Sequence, residues 1–86
     1  MNAEKEEYIK VIYNFVLDQL ENNNPPELSE TFERLIELGI EDTTVMAHIV
    51  VCAYIETKSM ENNSTPFNMK RYFRNLKNLP ELPEGY

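Results

Sequence analysis

Residues 22–42, NNNPPELSETFERLIELGIED, hold one segment between two backbone breaks, and this punctuation constrains the whole chain. Asparagine tolerates the left-handed conformation that closes a helix, so Asn22 and Asn23 end whatever precedes them. Asn24 is then expected to cap a new helix. Pro25 would take the first helical position, where a missing N–H loses no partner, and Glu27 would complete a capping box. Inside the segment Leu28, Phe32, Leu35 and Ile36 recur at i, i+4, i+7 and i+8, which makes one apolar stripe. Gly39 can take positive φ without a Cβ clash, and Ile40 stands where a Schellman cap makes its apolar contact with Leu35. The product is a short amphipathic helix that must lie on a neighbour.

The flanking segments carry the same period. Tyr8, Ile9, Ile12, Phe15, Val16 and Leu20 are opposed by Glu4, Glu6, Glu7, Lys10, Asp18 and Glu21, which predicts a helix over about 3–22. The Asn24–Gly39 segment gives 25–38. Asp42 is the expected cap of a third helix, about 43–60, with Met46, Ile49, Val50, Ala53 and Met60 on one face. The run Ile49, Val50, Val51 has strand propensity, but its length and the lack of a partner strand favour the helix. Glu61 to Thr65 and Pro66 read as a loop. A short fourth helix, 69–78, follows with Asn68 as cap, Phe67 and Tyr72 as a hydrophobic staple, and Met69, Phe73, Leu76 and Leu79 as its stripe. Pro80 stops it. LPELPEGY, 79–86, is then an extended, polyproline-like tail that packs Leu82 back onto the bundle. The expected fold is all-α, a small four-helix bundle with a short last helix, and residues 1–86 form one domain.

A chain of this length buries only about 60% of its unfolded surface, so oligomerisation is a natural way to cover the remaining apolar area. Net charge is −7, which argues against a general nucleic-acid coat or an anionic-membrane binder. The charge is uneven. Residues 1–61 carry thirteen acids and four bases, whereas residues 62–79 carry no acid and four bases, Lys70, Arg71, Arg74 and Lys77. Cys52 is the single cysteine, so no intrachain disulfide forms. MNAEKEEY shows no basic region followed by an apolar core, and no signal peptide is expected. The longest apolar run, Ile49 to Ile55, is far short of the roughly 20 residues that a membrane span needs. A cytoplasmic location without membrane contact follows as the expectation.

From Asn24 onward the landmarks NPPE (24–27), TFERLIELG (31–39), PF (66–67), RYFRNL (71–76) and LPELP (79–83) resemble a family of small uncharacterised bacterial proteins, a domain of unknown function. The resemblance covers most of residues 24–83. It implies an all-helical bacterial protein of the cytosol, with a histidine of the third helix near His48, and attaches no activity, cofactor or catalytic residue.

Three constellations could carry chemistry. His48, Cys52 and Glu56 stand at i, i+4 and i+8, so one helix face could present a reactive His48/Cys52 pair or two metal ligands. A lone cysteine in an apolar helix behaves more simply as a small buried hydrophobe, and one histidine with one cysteine cannot close a zinc site. Glu30, Glu33, Glu37 and Glu41 fall opposite the Leu28, Phe32, Leu35 stripe, as a solvated face would, with Glu30 and Arg34 as an i, i+4 pair. A di-metal bundle site would need Glu-x-x-His pairs, and Val45 stands three positions before His48. The basic island is the third. Lys70, Arg74 and Lys77 line one face beside Arg71, with Tyr72 near enough to stack, so phosphate or an RNA strand could be gripped there. The plain alternative is that these cations complement the helix dipole and the acidic remainder of the bundle.

The function expected from these features is a cytosolic protein–protein interaction module, a homodimer or an accessory subunit, without cofactor or catalytic site. The alternative is a weak RNA- or nucleotide-binding module that uses the fourth helix. A Cys/His enzyme or metal site ranks last.

Overall fold

The computed structural model describes residues 3–83, which form four helices: α1 (Ala3–Glu21), α2 (Pro26–Glu37), α3 (Asp42–Asn63) and α4 (Met69–Asn78). No strand occurs among the described residues, and the Ile49–Val51 run is helical. Residues 84–86 of the expected tail lie outside the described residues. The protein is a small all-α bundle with a short last helix.

Both helix closures foreseen from single residues form. At the end of α1, Asn23 adopts φ 51°, and the amides of Asn23 and Asn24 donate to the carbonyls of Leu20 and Gln19 at 3.3 and 3.0 Å. At the end of α2, Gly39 takes φ 90°, and the Gly39 and Ile40 amides donate to Ile36 and Leu35 at 2.9 and 3.3 Å. These are paired Schellman bonds, which use carbonyls the helix cannot satisfy internally. Ile40 packs on the core beside them. The start of α4 also matches: the Asn68 Oδ1 accepts from the Arg71 amide at 3.0 Å, and the Phe67 and Tyr72 rings meet edge-on at 5.2 Å.

The starts of α2 and α3 differ from expectation. Pro25, in extended conformation at φ −83° and ψ 153°, is the residue before α2, and Pro26 takes the first turn. The reason is steric, since a residue that precedes proline is disfavoured in the α region, and both Asn24 and Pro25 precede one. Asn24 therefore makes no side-chain cap. Glu41 flanks α3, so that Asp42 is already helical and its Oδ1 accepts from the Thr43 amide at 2.7 Å. α3 also runs three residues past the expected 60. Glu61, Asn62 and Asn63 are not helix breakers, and the helix persists until Ser64 turns left-handed at φ 52°. A left-handed serine is strained where glycine is not. Ser64→Gly is expected to stabilise the protein by about 0.5–1 kcal/mol, read as a higher urea midpoint with unchanged slope.

α3 is the central helix, in contact with α1, α2 and α4. It buries Val45, Met46, Ile49, Val50, Cys52 and Ala53, which wrap around much of its circumference, as expected of a helix enclosed by neighbours. α1 contributes Ile12 and Val16, α2 Leu28 and Leu35, and the α4 region Tyr72, Leu76 and Leu79. Leu82 of the tail packs on this core, as foreseen. Four expected core residues are instead substantially exposed: Phe15 (44%), Ile36 (40%), Met60 (38%) and Met69 (41%). Phe15 and Ile36 lie at the lateral edges of their stripes, and Met60 and Met69 lie near the ends of α3 and α4, where a bundle of this size has no further helix to cover them.

Arg34 closes the bundle at one end. Its guanidinium donates to the carbonyl oxygens of Leu79 at 2.8 Å, Leu76 at 3.0 Å and Lys77 at 3.3 Å. They are backbone acceptors at and just past the C-terminus of α4, of which Leu76 also accepts from the Leu79 amide at 3.2 Å. The side chain thus ties α2 to α4 instead of pairing with Glu30.

Candidate functional site

The buried centre of charge in this fold is Glu56. Its carboxylate is fully enclosed on α3 and accepts a bidentate pair from Arg71 of α4, with Nε–Oε2 at 2.6 Å and Nη2–Oε1 at 2.8 Å. Nη2 also donates to the Ser59 hydroxyl at 3.1 Å. The hydrogen bonds it donates to Glu56 hold the guanidinium above its ordinary pKa. This fork geometry gives short charge-assisted bonds and fixes α4 in register on α3. Arg71 retains one face toward solvent, at the rim of an open cleft of about 520 Å³ lined by Ser59, Asn63, Thr65, Pro66, Phe67, Asn68 and Arg71.

The basic island is therefore divided by the structure. Arg71 is committed to Glu56, and Tyr72 is fully buried, its hydroxyl donating to the Gln19 Oε1 at 3.1 Å. Burial raises the Tyr72 pKa, with Cys52 as the second contribution. Tyr72 packs between Phe67 and Phe73, and Phe67 reaches Phe15 of α1 at 6.3 Å. The expectation that Tyr72 stacks on a base is corrected, because its ring is core. Lys70, Arg74 and Lys77 remain, all exposed on the outer face of α4, with no ion pair among the described residues.

His48 and Cys52 share a helix but not a site. The His48 ring is half-buried and its Nδ1 donates to the Thr44 carbonyl at 2.8 Å. Cys52 is enclosed in the core, and burial, with a lesser push from Glu56, moves its thiol up to about 12. Such a thiol is neutral at pH 7 and a poor nucleophile. In the native state Cys52 is expected to react with a disulfide reagent only as fast as the protein opens, on the order of 1,000-fold or more below a free thiol. Equal rates in buffer and in denaturant would contradict this. A folded pKa raised from 9.0 also fixes a pH dependence. The contribution of Cys52 is intact below pH 9, where both states keep the proton, and is lost as pH rises toward 12, where only the unfolded thiol ionises. Cys52→Ala is expected to flatten the fall in stability over that window, measured by urea titration at several pH values.

Glu30, Glu33, Glu37 and Glu41 are all exposed, and no group of three or more potential metal ligands forms among the described residues. The residue that sequence reasoning misplaced is Glu56, read beside His48 and Cys52 although its partner is on α4. One signal was present. Glu56 is the one carboxylate inside the apolar face of α3, and a buried carboxylate demands a cation, which the acid-free segment after it supplies.

The site and fold together define a small helical bundle with a buried ion pair and an exposed basic face. No family model, curated protein or solved structure matches the chain. No described helix is long and apolar enough to cross a membrane.

Proposed function

We propose that the protein is a bacterial, cytosolic protein–protein interaction module, working as a self-associating unit or as the accessory subunit of another protein. The observation that carries the reading is the outer surface of α1. Val11 (68% exposed) and Phe15 (44%) stand at i, i+4 on one side of the buried Ile12–Val16 line, and Tyr13 (43%) and Leu17 (37%) on the other. Beside Val11 a shallow groove of about 320 Å³ is lined by Glu7, Tyr8, Val11, Ile12 and Thr57. Of the four exposed residues, Val11 borders the groove together with Tyr8, and an exposed aliphatic side chain beside an aromatic one is a usual anchor of protein interfaces. The test is capture of partners from a bacterial lysate by wild type and by a Val11→Glu, Phe15→Glu variant. A partner retained by wild type through nuclease and high salt, and lost by the variant, supports the reading. Equal capture by both would remove α1 from it.

The second reading, a weak RNA or nucleotide binder, is favoured by the exposed Lys70, Arg74 and Lys77. It requires binding that falls steeply with salt and is lost on Arg74→Glu. Arg71 held by Glu56 and Tyr72 in the core leave it three point charges without a stacking ring, which is why the protein partner is preferred.

A further inference from the structure

α2 and α4 pack against each other, and each turns a stripe of one charge away from the core. On α2, Glu30, Glu33 and Glu37 lie opposite the buried Leu28, Thr31 and Leu35. On α4, Lys70, Arg74 and Lys77 lie opposite the buried Tyr72 and Leu76. Each stripe spans seven residue steps, a rise of about 10.5 Å. Within one copy no ion pair joins the two stripes among the described residues.

We propose that a second copy of this chain covers the α2/α4 layer, with the acidic stripe of each copy laid on the basic stripe of the other. A two-fold axis that runs between α2 and α4 places α2 of one copy over α4 of its partner and, by the same operation, α4 over α2. Such an isologous contact satisfies both stripes at once. A foreign acidic or basic partner could match only one of them, and would meet like charge on the neighbouring helix. Exposed ion pairs contribute little singly, so the charges set register and exclude wrong partners. Apolar area comes from Ile36 (40% exposed), Leu38 (60%) and Met69 (41%), which border the two stripes. This inference rests on the reading of the protein as an interaction module and names one partner for it, on a surface separate from Val11 and Phe15 of α1.

Sedimentation equilibrium of the full chain at low salt tests it, with two charge-reversed variants. One carries Glu30→Lys, Glu33→Lys and Glu37→Lys, and the other Lys70→Glu, Arg74→Glu and Lys77→Glu. Wild type is expected to dimerise. Each variant alone should associate about 100-fold more weakly, because its two stripes then carry the same sign. An equimolar mixture should recover a dimer within about tenfold of wild type, because each acidic stripe again meets a basic one. That recovery also shows that the variants fold. A monomeric wild type, a variant that dimerises as well as wild type, or a mixture that stays monomeric would overturn the proposal. Capture of another protein through α1 would survive any of these outcomes, so failure here leaves the interaction-module reading standing.

Discussion

Arg71→Ala is expected to destabilise the protein by about 3 kcal/mol, the lower end of the range for breaking a buried ion pair. The loss arises less from the missing attraction than from what remains: a carboxylate on α3 with no exposure of its own and no cation. The lower end applies because the Arg71 side chain is 36% exposed, so water can approach Glu56 once it is truncated. Against a total of about 4–13 kcal/mol for a chain of this length, such a loss would bring a marginal fold close to its melting point at 37 °C. Removing both partners is a different experiment. Glu56→Leu with Arg71→Met replaces the pair by apolar volume, and is expected to lie within about 1–2 kcal/mol of wild type. The two single variants and the double form a cycle, read by urea denaturation, whose coupling energy isolates the pair. Additive losses would show that Glu56 and Arg71 do not act together.

Tyr72→Ala is expected to cost about 3–5 kcal/mol, comparable to other large-to-small changes at fully buried aromatic positions. The ring is enclosed among Phe67, Phe73 and the core, and its truncation would open a cavity where α1, the α3–α4 loop and α4 meet. Tyr72→Phe separates the hydroxyl from the ring. It removes only the bond to Gln19, whose side chain is half-exposed and can turn to water, so the loss should be about 1 kcal/mol. A large loss in the alanine variant and a small one in the phenylalanine variant would place Tyr72 in the architecture. Two near-neutral variants would mean that the ring is free.

What was legible in the sequence is what a few adjacent residues decide. Asn23 and Gly39 close their helices by their own backbone freedom, and Asn68 with Phe67 and Tyr72 starts α4 by contacts within five positions. The periodic stripes then assign most of the core. The errors fall where two local rules compete. At Asn24, Pro25 and Pro26 the preference for an asparagine cap meets the exclusion of helical geometry before proline, and the steric rule prevails. At residues 61–63 polarity suggested a loop, although nothing there forbids a helix.

The pieces beyond the reach of local pattern are the contacts between distant side chains. Arg34 meets carbonyls 42 to 45 positions away, and Glu56 meets Arg71 across the α3–α4 loop. Spacing along one helix put Arg34 beside Glu30 and Glu56 beside Cys52, whereas tertiary packing gave both a partner on α4. The candidate site changed accordingly. Of the five residues expected on the basic surface, Arg71 and Tyr72 hold the bundle together, and Lys70, Arg74 and Lys77 remain on its outer face.

The interaction surface proposed on α1 is tested most directly by hydroxyl-radical footprinting of the free protein and of a complex captured from lysate. In the free protein Tyr13 and Phe15 are expected to be labelled and the buried Tyr72 to be spared. In the complex, labelling of Phe15 should fall severalfold while Tyr72 stays unchanged. Labelling of Phe15 that is the same in both states would contradict the proposal that α1 is an interaction surface.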